Sequence, residues 1–403
     1  MNYATNTFDV AIAGAGPAGT SAAIRLASIG ARVLLVEEKK FPRPKLCGEF
    51  ISPECLGHFK QLGVMEEMTA AGGDALAETV FYSRRGHSVN VPSEWFTASA
   101  PALGLSRSEM DYQLLERARS DGVTVMEETH VARLLVENGV VRGIATKTGT
   151  TNHEYNASLT IDATGRTRSL ARHLDPPASA RSKQQKPLVA FKVHLQNARL
   201  AKNSCEMYFY PRGYGGLSGV EGGVSNLCFI VASSDVRELR SNPEAVMREV
   251  VMRNPRAAFT LAEAGAHSPW LSVSLESFGR RTLVPAAGLI TVGDAAAFID
   301  PFTGSGMLMA LESGQVAADA IAPNLTQLRL NRGLQETANS YATEYRGRFD
   351  SRLRISGLLR RAAFVPYLDE AAILFFGMSS RLRRKLAQAT RQSHAGQARV
   401  PES

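Results

Sequence analysis

Gly14-Ala15-Gly16-Pro17-Ala18-Gly19 repeats glycine at a spacing that suits phosphate chemistry. The segment follows the apolar run Phe8-Asp9-Val10-Ala11-Ile12-Ala13 and opens a helical stretch through Ile24, Leu26 and Ile29. In that context Gly14 and Gly16 permit a tight turn and close backbone approach to a pyrophosphate. Gly19 lets helix and strand pack. The helix start, with Pro17 and Ala18 in its first turn, adds N–H donors and a positive dipole end. Glu37, 18 residues after Gly19, ends a second apolar run with Glu38 beside it, and is placed to accept hydrogen bonds from ribose hydroxyls. A 2′-phosphate would be repelled there, so the site suits FAD or NAD better than NADP.

Two later segments choose between those cofactors. Thr160-Ile161-Asp162-Ala163-Thr164-Gly165-Arg166 stands at a strand end in mid-chain. The second runs Gly293-Asp294-Ala295-Ala296-Ala297-Phe298-Ile299-Asp300-Pro301-Phe302-Thr303-Gly304-Ser305-Gly306-Met307. There a strand delivers Asp294 toward a ribityl hydroxyl, and the turn Pro301–Gly306 leads into a long helix. The N-terminus of that helix would favour negative charge on a reduced flavin ring. Each segment alone is also compatible with an ordinary turn. Three in this order point to a flavin.

Positioning these groups requires a particular order of elements. Residues 8–36 form a strand, helix and strand, the βαβ unit of a parallel sheet. Residues 41–55 are a Pro- and Gly-rich loop entering a short helix. Val80–Val91, broken by Ser83–Gly86, predicts a hairpin. Ser106 predicts a cap for a helix to Ser120. Strands follow at Val123–Met126, Val131–Val136, Val140–Thr146 and Leu159–Ile161. Residues 176–187 form a Pro/Ser/Lys-rich linker, 188–285 are β-rich with helical character at 243–265, and Leu289–Val292 is a strand before the helix Ser305–Ile321. The fold class is therefore α/β. The expected division is a discontinuous FAD-binding unit (1–75, 102–175, 286–345), an antiparallel-sheet substrate unit (76–101, 176–285) and a basic helical region (346–403).

Composition narrows the function class. The chain has 403 residues, is 44% hydrophobic and 21% charged, and carries four cysteines with no CxxC spacing. Disorder, a disulfide scaffold and a structural zinc site are disfavoured. No secretory signal or membrane span is visible, which makes a reduced, cytoplasmic protein the expectation. Net charge is +8, and residues 346–403 alone hold 12 Lys/Arg against 4 Asp/Glu, leaving the rest neutral. Nucleic acid is thus not an expected partner. The tail interleaves Leu353, Ile355, Leu358 and Leu359 with arginines. It reads as a helical cap on the flavin unit, with weak membrane-surface contact through a basic amphipathic helix as the sharper alternative.

The order GxGxxG…Glu37, Arg107 at a helix start, DATGR, then GDAAAFIDPFTGSG resembles the FAD-dependent aromatic hydroxylase and geranylgeranyl reductase superfamily over about residues 8–330. Arg43-Pro44-Lys45-Leu46-Cys47-Gly48-Glu49 and Tyr210-Pro211-Arg212-Gly213-Tyr214-Gly215-Gly216 resemble its geranylgeranyl-reductase-like branch. The resemblance implies a glutathione-reductase-type FAD domain with an inserted substrate sheet. It also implies that Arg107 contacts the FAD phosphate or ribityl region, that Asp294 binds the ribityl or pyrophosphate moiety, and that Arg43, Cys47 and Gly48 lie near the flavin ring. Cys47 then reads as a proton donor or a pocket wall, and Tyr214 as lining the substrate face. Prenyl reductases of this type carry Tyr-x-Trp-x-Phe-Pro, whereas Gly216 stands where tryptophan would, which implies a wider or differently shaped pocket. The Trp-x-Trp-x-Ile-Pro signature of flavin halogenases is absent. The remaining cysteines read as core, Glu49 as a cap or loop residue, and His87, His194 and His267 as isolated. The function expected first is an NAD(P)H-dependent FAD monooxygenase acting on a hydrophobic or polyketide-like small molecule. An alkene-reducing flavoenzyme and a flavin-bearing docking protein are the alternatives.

Overall fold

The runs Thr7–Ala13 (β1) and Val33–Val36 (β2) are apolar on both faces, as the middle of a helix-covered parallel sheet requires. The structure, a computed structural model, describes residues 6–96, 100–174, 187–275, 278–365 and 368–389. All but the last residue of the sequence-assigned linker, and the end from Ser393, lie outside the described residues.

After β1 come α1 (Pro17–Ser28), β2, β3 (Phe50–Ile51), α2 (Pro53–Gln61), α3 (Met65–Ala70) and β4 (Asp74–Leu76). A hairpin of β5 (Glu78–Tyr82) and β6 (Ser88–Pro92) precedes β7 (Ala102–Gly104) and α4 (Arg107–Ser120). The chain continues through β8 (Thr124–Met126), β9 (His130–Glu137), β10 (Val140–Thr148) and β11 (Thr151–Asp162). Next are β12 (Leu188–Gln196), β13 (Ser204–Tyr210), β14 (Gly213–Gly219) and β15 (Ser225–Ala232). Three short helices follow, α5 (Ser233–Glu238), α6 (Pro243–Glu249) and α7 (Pro255–Leu261). Then come β16 (Gly265–Ala266), β17 (Leu271–Leu275), β18 (Gly279–Arg280), β19 (Leu289–Thr291) and β20 (Ala297–Phe298). The last elements are α8 (Gly306–Ile321), α9 (Leu325–Arg329), α10 (Leu334–Ala363), α11 (Leu368–Gly377) and α12 (Ser380–Ala389).

One sheet runs β8-β2-β1-β11-β10-β9, with β19 beside β11. Its register does the work of assembly. Ala13 lies opposite both Val36 and Asp162, and Asp162 lies opposite Thr291. The chain therefore leaves four parallel strands at one edge, just before Gly14, Glu37, Ala163 and Gly293. Strand β11 begins at Thr151, eight residues before the expected start. Its polar first half extends the strand by pairing antiparallel with β10, because ladder pairing outweighs local propensity.

The second sheet runs β16-β12-β15-β14-β13-β5-β6, with β17 beside β12. It is antiparallel except for β5 and β13, which pair in parallel where the hairpin joins strands from later in the chain. The tail forms a helical cap as read, with a correction to its place. Helix α10 lies along α8, but α11 and α12 cross the edge strand β6 of the second sheet.

Helix α8 approaches α1 closely through Gly314: a Cβ there would stand 2.2 Å from the Ala18 carbonyl oxygen and 3.0 Å from the Ala22 nitrogen. Ser21 Oγ donates to the Leu311 carbonyl across the same contact at 3.0 Å. Gly314→Ala should force the helices apart and destabilise the protein by about 1–3 kcal/mol. Exposed Gly57 of α2 has open space around it, so Gly57→Ala should instead stabilise by about 0.5–1 kcal/mol. Urea denaturation of the two variants, run side by side, checks both signs.

Candidate active site

A cavity of about 1010 Å³ starts at the edge where the parallel strands end and runs beneath the second sheet. At its start Gly14 has φ +102°, and a Cβ there would fall 2.4 Å from the Ala163 carbonyl oxygen. A Cβ on Gly19 would stand 1.9 Å from the Gly14 oxygen, so this glycine packs helix on turn and does not face the cavity. Glu37 is buried. Its carboxylate accepts from Ala15 N at 2.9 Å and Lys39 N at 3.0 Å, which aims it along the glycine turn.

Cations are gathered next to this turn. Fully buried Asp111 accepts two hydrogen bonds from Arg107, from Nε and Nη2, each at 2.7 Å, and one from Arg43 Nη1 at 3.2 Å. Arg43 Nη2 also lies 3.5 Å from Glu37. Burial would weaken the Arg107 charge, but Asp111 outweighs it and holds the guanidinium above its usual value. Lys45 lies in the same wall. Burial lowers its ammonium, and repulsion from Arg43 and Arg107 lowers it further. Burial likewise lowers Arg166, against the pull of Asp294. Arg43, Lys45, Arg107 and Arg166 thus gather beside Glu37, Asp111 and Asp294, a cluster of cations in low dielectric that an anionic ligand would complement. Asp294 makes no hydrogen bond to a described residue. Burial raises its carboxyl, and Arg166, Arg107 and Lys45 oppose the rise. The glycine cradle, the helix start, the cationic wall and a carboxylate facing the cavity fit a pyrophosphate with polyol hydroxyls. The residues present fit FAD.

Most of the residues singled out from sequence meet in this one cavity. Gly14, Gly16, Pro17, Ala18, Glu37, Glu38, Arg43, Cys47, Gly48, Arg107, Gly165, Gly293, Asp294, Pro301, Gly304, Gly306, Met307 and Tyr214 all line it. Asp162 does not. Its oxygens accept from Thr164 N, Thr164 Oγ1 and Ala171 N, so it shapes the loop that presents Gly165. Ser305 is buried behind the wall, where its hydroxyl donates to the Thr303 carbonyl.

Glu49 is more than a loop residue. Its carboxylate accepts from the Arg107 backbone N–H at 2.8 Å, from Lys192 Nζ, and from His194 Nε2 at 2.6 Å. It caps α4 rather than α2, and it joins the first sheet's loop to β12. Its backbone sits in the left-handed region at φ 53°, uncommon without glycine. His194 is therefore not isolated, and neither is His87, whose Nδ1 lies 3.0 Å from Glu370 Oε2. Lys192 and His194 are two apart on one face of a strand whose other residues from Leu188 to Leu195 are apolar, and that alternation was the available signal for a buried polar pair.

The far half of the cavity is apolar, with Phe81, Val89, Phe209, Ile230, Leu275 and Ile373 in its wall. Tyr208 and Tyr210 are buried packing residues, as expected. Tyr214 reaches the wall, but its hydroxyl donates to Asp300. Burial, then the Asp300 charge, keeps that phenol well above its ordinary value. Cys205 and Cys228, read as core, also line the cavity. Burial, reinforced by Cys47 and Glu49, pushes the Cys228 thiol up to about 12. Gly216 lines the wall too, and a Cβ there would lie 2.8 Å from Met207 Sδ. Methionine thus takes up space that a tryptophan at 216 would occupy, so the pocket is reshaped rather than simply widened.

Burial would raise the Glu49 carboxyl, but the His194 hydrogen bond and the Lys192 charge outweigh it and hold it below the ordinary 4.5. A depressed carboxyl stabilises the fold above its unfolded value and loses that contribution as pH falls through the folded one. Glu49→Gln leaves Lys192 buried and uncompensated and should cost about 3 kcal/mol at neutral pH. The difference from the parent should shrink below about pH 4, which denaturant titrations across pH measure.

Comparison with known proteins agrees with this geometry. The chain is 26% identical to digeranylgeranylglycerophospholipid reductase 2 of Methanopyrus kandleri over 95% of its own length and 90% of the relative's. It is 27% identical to the menaquinone reductase of Mycolicibacterium smegmatis, over 77% of this chain and 75% of that one. The solved structure of the flavin-dependent brominase Bmp2 superposes with a TM-score of 0.78 at 20% identity, covering 95% of this chain and 94% of the other, a likeness of fold. A sequence profile described as FAD binding domain matches residues 7–343. That match takes in the glycine turn, the cationic wall and Asp294 alike, and the chain belongs to the FAD binding domain family: it is an FAD-dependent oxidoreductase.

Proposed function

We propose that the protein reduces carbon–carbon double bonds in a hydrophobic chain, with NAD(P)H as the source of electrons. The observation that carries this reading is the chemistry of the apolar half of the cavity. Its wall holds thiols and a phenol, Cys47, Cys228 and Tyr214, and burial keeps Cys228 and Tyr214 in their protonated forms. Such groups give protons or stay inert. Cys228 and Tyr214 do not act as bases at neutral pH. Both relatives described above are named as reductases, one of them of a geranylgeranyl phospholipid.

Bound FAD, when reduced, supplies a hydride. The protein's residues do the rest. The π bond would break as one carbon took the hydride, which is two electrons and one proton, and the other took the Cys47 proton, so two electrons and two protons account for the two new C–H bonds. Arg107, whose side chain hydrogen-bonds Cys47, stands beside the sulfur, and water returns its proton. The Asn226 amide donates to the Cys47 carbonyl at 3.1 Å and fixes the loop that carries the thiol. Phe81, Phe209 and Ile373 exclude water around the alkene.

A monooxygenase acting on a hydrophobic or polyketide-like molecule is the second reading. The enclosure of the cavity by α11 and α12 favours it, since dry surroundings also protect oxygen chemistry.

Anaerobically reduced protein mixed with a geranylgeranyl phospholipid should reoxidise and yield a lipid with two more hydrogens per double bond, read by mass spectrometry. Cys47→Ala should slow that step about 10²–10⁴-fold with little change in substrate affinity. Cys47→Ser should keep part of the rate. Reoxidation that needs O₂ and adds an oxygen atom to the product would replace the reductase reading by the monooxygenase one.

A further inference from the structure

Seven of the twelve exposed large hydrophobic side chains among the described residues fall between Leu358 and Leu382. Helix α11 is apolar on both sides. Ile373 and Phe376 turn into the cavity wall, while Leu374, Phe375 and Met378 are 55%, 53% and 81% exposed. A soluble helix covering a core needs only the first of these faces.

Charge separates sharply along the same segment. The acidic groups at the start of α11 are engaged with the hairpin turn. Asp369 accepts from Arg84 N at 3.2 Å, and Glu370 from Arg85 N at 2.8 Å and His87. From residue 371 to 389 there is no Asp or Glu but there are four cations, Arg381, Arg383, Arg384 and Lys385. Arg383 turns inward, its guanidinium 5.8 Å from the Trp95 ring, and Gln388 donates to the Trp95 carbonyl at 3.2 Å. Arg381, Arg384 and Lys385 are exposed. Exposed apolar groups beside uncompensated cations complement an anionic lipid surface. Among the described residues no helix is long and apolar enough to cross a membrane, so the pair would lie on the surface.

We infer that the outer face of α11 and α12 docks on an anionic membrane, and that a lipid substrate passes from that membrane past this helix pair into the cavity. The second half of the inference rests on the cavity's being the substrate site proposed above. The first half does not. The anchors to Ser83–His87 and Trp95 hold the pair along the cavity, with Ile373 and Phe376 of α11 and Leu386 of α12 in its wall.

Flavin-loaded, full-length protein should co-sediment with vesicles containing phosphatidylglycerol, weakly with pure phosphatidylcholine, and less as salt rises. Leu374→Ser/Phe375→Ser/Met378→Ser and Arg381→Gln/Arg384→Gln/Lys385→Gln should each lose at least about tenfold in binding while retaining flavin absorbance and detergent-phase turnover. Their turnover on vesicle-embedded lipid should fall in step with binding. Parent protein that ignores anionic vesicles, or triple variants that bind as well as the parent, would overturn the docking. So would a dimer that the apolar triple variant dissolves, since a second copy would then own the face. Retained vesicle binding with no lipid reduced leaves the docking standing and removes the substrate reading alone.

Discussion

One buried carboxylate holds the two halves of this molecule in register. Glu49 accepts from the first turn of α4, from Lys192 and from His194, groups 58, 143 and 145 positions away in the chain. The loop around it presents Cys47 and Lys45 to the cavity, and α4 presents Arg107. If that carboxylate loses its partners, the cationic wall and the thiol lose their common reference. Buried charge tolerates no half measures: fully paired it fixes geometry, and partly paired it is costly.

A second constraint acts at the opposite end of the site. Four parallel strands finish level with one another, so loops distant in sequence emerge side by side. Close approaches keep them there. Gly19 lies against Gly14, and Gly314 against Ala18, with distances that leave no room for a Cβ. The chemistry therefore rests on backbone contacts that no substituent can adjust, whereas the apolar half of the cavity is built from side chains that can vary.

What could be read from the sequence was what is encoded locally. The glycine turn, the hairpin around Ser83–Gly86, and the Ser106 cap, whose hydroxyl accepts from Glu109 N at 3.1 Å, each have causes within a few residues. A parallel sheet assembled from distant segments was implied by the family resemblance, and β19 does pair with β11. Other features are decided by partners far along the chain. Glu49 seemed a cap for the helix beside it until its real partners came from β12 and α4. Cys228 looked like core because nothing near it in sequence marks the cavity wall. Asp162 sits in a cofactor-like motif, yet its oxygens are used by its own loop. The strand at Thr151–Asn156 has polar composition and forms only because β10 is available to pair with it.

The cluster of cations beside the glycine turn has a consequence for the protein's stability. Lys45 is held against Arg43 and Arg107 in a poorly solvated wall, a placement that a bound anion would favour. Ligand that binds only the folded form adds stability in proportion to the logarithm of its concentration over its dissociation constant, about 2.7 kcal/mol at a hundredfold excess. Bound flavin would thus contribute to the stability of the fold as well as to its chemistry.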